Sequence, residues 1–514
     1  MIVGLLVEMA ADALGERMAL GPRNGGVTFA ELGLRARRVA RLLDESAGDR
    51  IGFLDLNTDA FPLAMLGAAL AGKPFAPLNY RMTDSQLRAV LRRLAPATVV
   101  AGPETAARIP QVDGVSVLPR ESLLTTAADS GAQPLEGRDT DPDSVAVLLF
   151  TSGTTGEPKA AVLRHRNLTS YIISSIDFAG AGEDEAALVS VPPYHIAAVS
   201  AVLSNLYSGR RVVRLESFDA ARWTGLIRSE AITHAMVVPT MLGRILDDLD
   251  GAPDGEHRIL PSLRSISYGG GPMPLPLIER ALDRLPEVDF VNAYGLTETS
   301  STIAVLGPED HRTAFGATAA SVKARLGSVG RPLPSVEVSI RDLDGEPVAD
   351  GVRGEIWVRG DQVSGEYIGR RATDDDGWFH TRDAGSLDAD GFLYVYGRLD
   401  DVIVRGGENL SPGEIEACLL EHVDVAEAAV FGIPDPEWGE VVAAAVVLDP
   451  RATAGADELR EHVRVHLRST CVPARLEIRA ELPYTETGKV LRRVLRDEFT
   501  ATTIGAVNGS SSCT

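Results

Sequence analysis

Cysteine is nearly absent from this chain: three residues in 514, Cys418, Cys471 and Cys513, with no paired spacing. That excludes a disulfide-stapled scaffold, argues against a zinc site, and fits a reducing, cytoplasmic setting. Positive charge is also scarce. Lysine and arginine number 50 against 72 acidic residues, a net charge of −22. Bulk electrostatics therefore disfavour a nucleic-acid partner, although a local basic groove can still hold a nucleotide. No apolar run has the uninterrupted length needed to cross a bilayer. The best candidate, 60–78, is broken by Pro62, Gly67, Gly72 and Lys73, and reads as a buried helix feeding a strand. The opening MIVGLLVEMAADALGER carries no basic leader and meets Glu8 early, so no secretory signal is expected. There are no internal repeats, and no low-complexity block suggests wholesale disorder.

What is present is enough apolar material, 45% of residues, to fill several cores. Apolar segments at 50–54, 74–77, 98–101, 145–150, 187–191, 211–215, 234–238 and 265–268 read as strands. Amphipathic stretches at 29–45, 84–94 and 220–230 read as helices. Such alternation predicts α/β layers with largely parallel sheets. After residue 327, Asp-Gly turns at 344, 376 and 390 punctuate short strands, which predicts a β-rich part over 327–397. The expected architecture is a large N-terminal α/β domain over 1–399 with that β-rich subdomain. A small α+β C-terminal domain follows over 400–500, and a Ser/Thr/Gly-rich tail over 501–514 reads as disordered.

At 145–161 a buried-looking strand runs into TSGTTGEPK. Glycines that admit close backbone approach, hydroxyls, and a closing Lys159 suit polyphosphate binding. The spacing is not that of the Walker loop, because Glu157 and Pro158 separate Gly156 from Lys159. A flexible surface loop explains the same composition equally well. Three further segments fit a nucleotide site. YGGGPMP from Tyr268 is a glycine turn after a strand, against which a flat ring can lie, or simply a tight turn. In NAYGLTE, Thr297 and Glu298 offer a hydroxyl and a carboxylate suited to a phosphate and its magnesium, or ordinary capping chemistry. Asp383 and Arg398 suit ribose hydroxyls and phosphate, though each is individually unremarkable.

Taken in order, TSGTTGEPK, PPYH, GGGPMP, YGLTE, GWFHTRD, GRLDDVIVRGGENLSPGEIE and TETGKVLRR resemble the adenylate-forming superfamily, which includes acyl- and aryl-CoA ligases, firefly luciferase and peptide synthetase adenylation domains. The likeness spans nearly the whole chain and is strongest to acyl-CoA ligases around 397–416 and 431–440. It implies that Thr151, Ser152, Gly153, Thr154, Thr155, Gly156 and Lys159 hold the outer phosphates of ATP. Gly269, Gly270, Gly271, Asn292, Ala293, Tyr294 and Gly295 would border adenine, and Asp383 with Arg398 would hold ribose. Thr297 would meet the α-phosphate, Glu298 would ligate magnesium, and Lys489 would act in adenylation. Asp400 matches the hinge on which a mobile C-terminal domain turns, and Gly406-Gly407 would lie beside a pantetheine passage. His195 falls where the family places a gate, or is a packed turn residue. The acyl pocket is expected around His195, Ala197, Val199, Ser200, Val238, Thr240, Tyr268, Gly270 and Ser301, with no Asp or Arg in those stretches. A hydrophobic acid, fatty, aromatic or alicyclic, is the implied substrate, with ATP, Mg²⁺ and coenzyme A as cofactors. A homodimer is the default oligomeric expectation.

Four positions depart from the family pattern: Ala160 and Arg382 replace glycines, Thr470-Cys471 replaces a Tyr-Lys pair, and Tyr484 replaces a basic residue. Arg382 is costly if its backbone turns left-handed. These departures keep two alternatives to an acid–CoA ligase open. One is an enzyme that passes its acyl-adenylate to a carrier protein or separate partner. The other is a catalytically silent nucleotide- or acyl-binding homologue.

Overall fold

The computed structural model describes all residues except 152–158, 253–258, 406–407, 437, 485–489 and 509–514. Two mixed sheets form the large N-terminal part. The first has eight strands, and its parallel run is Val145–Thr151, Phe75–Pro77, Arg50–Leu54, Ala97–Ala101 and Val115–Pro119. Strand Ala97–Ala101 is buried at every position, as expected where helices cover both faces of a parallel sheet. The second sheet has nine strands, parallel from Asp289–Leu296 through Ser265–Gly269, His234–Val237, Ala186–Val189 and Arg211–Arg214 to Met18–Leu20.

Local chemistry sets the helices that cover these sheets. Thr28 accepts the Glu31 amide at the start of Phe29–Asp44. Thr83 and Gln86 form a capping box on Asp84–Leu94, and Asp219 caps Ala220–Ser229. Each such cap is worth about 1 kcal/mol. The segment 60–78 folds as read, helix Ala60–Leu70 followed by strand Phe75–Pro77, with every residue of the helix but Leu70 buried. Phe61 of that helix meets Phe53 and Phe75 of the sheet at centroid distances of 5.5 and 5.9 Å. Tilted ring pairs of this kind add about 0.5–1.5 kcal/mol each beyond area burial.

A four-stranded antiparallel sheet follows: Glu337–Arg341, Gly354–Arg359, Phe379–Leu387 and Leu393–Arg398. The small C-terminal part packs helices Pro412–Leu420 and Ala456–His466 with a sheet built on the hairpin Val425–Asp435 and Gly439–Leu448. It meets the larger part through Arg353 on Glu414 at 3.3 Å and Ser411 Oγ on the Tyr396 carbonyl at 3.0 Å. The last helix, Arg492–Asn508, runs eight residues into the segment expected to be disordered. Phe499, fully buried against Phe431 at 5.0 Å, anchors it immediately upstream. No helix among the described residues is long and apolar enough to cross a membrane.

Candidate active site

Strands Val145–Thr151 and Lys159–Arg164 form an antiparallel hairpin in which Thr151 pairs with Lys159. Its tip, Ser152, Gly153, Thr154, Thr155, Gly156, Glu157 and Pro158, lies outside the described residues, and Thr151 is placed by its backbone alone. The base of the hairpin is well tied. The Ile368 amide donates to the Ala160 carbonyl at 3.0 Å, and Tyr367 pairs with Ala161. Arg164 grips Glu366 with Nε and Nη2 at 2.9 and 2.8 Å, the bidentate geometry that gives arginine its directional hold. Ala160 lies in extended backbone and is buried, so the loss of a glycine there carries no conformational cost.

Glu298 sits in the short 3₁₀ turn Thr297–Thr299 after strand Asp289–Leu296. Its carbonyl accepts the amides of Ser364 and Gly365 at 2.8 and 3.2 Å. Its carboxylate Oε1 accepts the Tyr367 hydroxyl at 2.5 Å. Burial and the Glu298 charge push the Tyr367 phenol well above its ordinary range, so it stays a donor. Tyr367 thus joins the base of the hairpin to Glu298. None of the sequence motifs contains it.

Asp383 and Arg398 are cross-strand partners. Arg398 Nη1 donates to Asp383 Oδ1 and to the Thr381 carbonyl, both at 2.8 Å. Tyr294, expected near adenine, donates its hydroxyl to Asp383 Oδ2 at 2.6 Å. Burial of that hydroxyl and the adjacent carboxylate raise its pKa far above the usual phenol value. Two built groups result, Tyr367 with Glu298 and Arg398 with Asp383 and Tyr294. Between Thr381 and Asp383, Arg382 takes φ +60° and donates its amide to Glu355 at 3.0 Å. The left-handed conformation raised as a concern in the sequence is therefore present, at a cost of about 1–2 kcal/mol for a residue with a Cβ.

The glycine turn is built as its composition demands. A Cβ on Gly269 would stand 2.3 Å from the Ala293 carbonyl, and Gly270 has φ +80°, a region open to glycine at no steric cost. Gly271 faces open space, and Asn292 Nδ2 holds the Ser328 carbonyl at 3.2 Å. Gly295 is exposed beside them.

Residues assigned to an acyl pocket separate into two groups. Tyr268 does not line a cavity with its side chain: it is fully buried, with its hydroxyl 2.7 Å from His311 Nε2. His311 Nδ1–H donates to the Gly307 carbonyl at 2.8 Å, which leaves Nε2 as the acceptor. Val199 is likewise a core residue. Ser200 and Ser301 meet through their hydroxyls at 3.1 Å, and Ala197 is partly buried beside the core. Val238 and Thr240, in contrast, line a cleft of about 140 Å³ with Tyr80, Ser190 and Pro192. Arg81, Glu216 and Arg244 share that lining. These charges come from stretches outside those read for the pocket. His195 stands at the N-cap position of helix Ile196–Ser208, with no side-chain cap bond, and packs against Tyr194 at 4.5 Å, which in turn meets Tyr80 at 5.4 Å.

Lys489 and the pair Gly406-Gly407 lie outside the described residues, and Asp400 is placed by its backbone in the turn Leu399–Asp401. The segment carrying Lys489 is nevertheless bracketed. Tyr484 and Val490 bridge its ends, and Arg492 beyond it binds both oxygens of Glu416 at 2.7 and 2.8 Å. Tyr484, where a basic residue was expected, is a half-buried phenol hydrogen-bonded to Glu427.

Comparison with known proteins gives the site its context. Residues 7–368 match the family profile described as AMP-binding enzyme, and residues 414–489 that of the AMP-binding enzyme C-terminal domain. A feruloyl-CoA synthase from Amycolatopsis sp. is 35% identical over 498 residues, covering 94% of this chain and 96% of that protein. A fatty acid–[acyl-carrier-protein] ligase from Streptomyces coeruleorubidus is 32% identical, covering 94% and 93%. The structure of o-succinylbenzoate CoA synthetase from Bacillus subtilis with its acyl-adenylate intermediate superposes with a TM-score of 0.80 at 31% identity, covering 96% of this chain and 98% of that one. The chain belongs to the AMP-binding enzyme family, the adenylate-forming enzymes.

Proposed function

We propose that this protein is an ATP-dependent acid–CoA ligase that activates a hydrophobic, preferentially aromatic, carboxylic acid. The observation that carries the reading is a pair of built groups, Glu298 held by Tyr367 at the base of the hairpin and Asp383 held by Arg398 and Tyr294, in a chain similar over its length to a feruloyl-CoA synthase. In the first half-reaction the carboxylate oxygen attacks the α-phosphorus of ATP, giving acyl-AMP and pyrophosphate. In the second the CoA thiol attacks the acyl carbon, giving the thioester, AMP and a proton. An anion approaching a polyanion needs fixed positive charge and oriented donors at the developing charge. Lys159 and the hairpin hold the leaving pyrophosphate, and Lys489 acts on the carboxylate and α-phosphate. Asp383 and Arg398 hold ribose in register, with Tyr294 fixing the carboxylate. Glu298, with Oε1 taken by Tyr367, offers Oε2 as the hard oxygen ligand that suits magnesium, which when bound neutralises phosphate charge. Acyl-AMP is a reactive anhydride, so closure of the C-terminal domain over it protects the intermediate from water.

Arg81 and Arg244, against the one carboxylate of Glu216, give the cleft beside Val238 and Thr240 a charged, net positive lining, which suits the phosphates of an incoming CoA better than an apolar acyl chain. Ala197 and Ser301 offer small, uncharged surface to the acid itself. A second reading, transfer to a carrier protein, is favoured by the similarity to a fatty acid–[acyl-carrier-protein] ligase and by Thr470-Cys471. One assay separates the two. With CoA and a cinnamic-type acid, pyrophosphate and CoA thioester are expected in equal amounts. Adenylate that accumulates in the presence of CoA would reject the ligase reading in favour of another acceptor.

A further inference from the structure

The C-terminal part holds a side-chain cluster that the ligase chemistry does not use. Cys418 lies near the end of helix Pro412–Leu420, and His462 and His466 stand one turn apart on helix Ala456–His466. One donor atom from each of the three lies within 4.8 Å of the others. The arrangement is graded from inside to outside: Cys418 is buried, His462 half-buried and His466 exposed.

Backbone carbonyls orient both rings. His462 Nε2–H donates to the Cys418 carbonyl at 3.0 Å, and His466 Nδ1–H to the His462 carbonyl at 2.8 Å. Since a carbonyl only accepts, each imidazole is left with its lone pair on the other nitrogen. A carbonyl on the far nitrogen is the outer-shell arrangement that fixes metal-binding histidines. The two rings lie 4.3 Å apart between centroids. His422 is near, 5.1 Å from His462, but its Nδ1 accepts the Asp424 amide and its Nε2 faces Glu458 at 3.9 Å. It is engaged elsewhere.

We propose that Cys418, His462 and His466 form a binding site for a divalent cation of the zinc class, with a fourth position open to solvent. One thiolate and two imidazoles are the donor types zinc prefers, and three protein ligands with an open position is a geometry it adopts. Cys418 binds as the thiolate, its proton passing to solvent. Ligand atoms around tetrahedral zinc stand about 3.3–3.8 Å apart, so the cluster closes by roughly 1 Å through side-chain rotation. Cysteine spacing alone argued against a zinc site; the histidines come from a helix more than forty residues away, at |i−j| of 44 for His462. Glu416, two residues before Cys418, holds Arg492. An ion here therefore fastens together two helices of the part that carries Lys489.

The test uses full-length, tag-free protein stripped with a chelator and titrated with zinc against a chromophoric competitor. One zinc per chain with sub-micromolar affinity is expected, and His466→Ala and Cys418→Ser should each weaken it by at least about 100-fold, the upper end for losing even an outer-shell partner. His466 is exposed at a helix end, so its variant keeps the test independent of folding. Cobalt in place of zinc should give a thiolate charge-transfer band that Cys418→Ser removes. Absence of stoichiometric zinc, affinity unchanged in His466→Ala, or a cobalt spectrum without the thiolate band would each overturn the site.

Discussion

Asp383 and Arg398 face each other across adjacent antiparallel strands at 2.8 Å, while Tyr294 occupies the second oxygen of Asp383 at 2.6 Å. The carboxylate is thus held from two sides in an orientation set by three separate strands. Asp383→Asn keeps the shape and removes the charge. Hydrogen bonds to charged groups are worth about 1.5–3 kcal/mol, so kcat/KM for ATP should fall by roughly 10- to 100-fold with little change in Tm. Steady-state kinetics at varied ATP reads this, and an unchanged value would separate Asp383 from nucleotide binding.

Tyr367→Phe removes the hydroxyl that holds Glu298 Oε1 and leaves the packing at Ala161 in place. By the same magnitude, adenylation should slow by about tenfold or more, with a greater demand for magnesium. A variant with the wild-type magnesium dependence would contradict the link between Tyr367 and Glu298.

Arg382→Gly relieves a left-handed backbone at φ +60°. Relief of about 1–2 kcal/mol is opposed by about 0.5–1 kcal/mol of added chain entropy, so chemical denaturation should show stability unchanged or raised by up to about 1.5 kcal/mol. A clear loss would mean that the arginine side chain makes contacts that outweigh the strain.

His165 is buried and accepts the Val3 amide on Nδ1 at 3.2 Å. Burial, with the N-terminal charge, pushes its pKa down from 6.5 to about 4. Between those values the unfolded chain binds a proton that the folded chain refuses, so stability falls as pH drops. The loss from this residue between pH 7 and pH 5 is about 2 kcal/mol. His165→Asn keeps an acceptor and cannot take the proton, and its denaturation midpoint should fall less steeply with acid. Parallel pH profiles for the two proteins would contradict the assignment.

Motif order singled out Glu298, Asp383 and Arg398, because each sits in a short phrase whose chemistry suits a nucleotide. Tyr367 was not legible, since its partner lies 69 residues away and is met only through sheet pairing. Tyr268 was misplaced for a simpler reason. In strand Ser265–Gly269 alternate side chains share a face, and Ile266 and Tyr268 both point into the core. The helix over 501–508 was hidden by its Ser/Thr/Gly-rich surroundings, while its anchor, Phe499, packs on a strand almost seventy residues upstream, Val425–Asp435.

The most direct test of the account is exchange of labelled pyrophosphate into ATP, without CoA, across a panel of aromatic, fatty and alicyclic acids. Acid-dependent exchange is predicted, strongest with an aromatic acid and abolished in Lys489→Ala, which should still convert a supplied acyl-adenylate to the CoA thioester. No exchange with any acid, or equal loss of both half-reactions in Lys489→Ala, would contradict it.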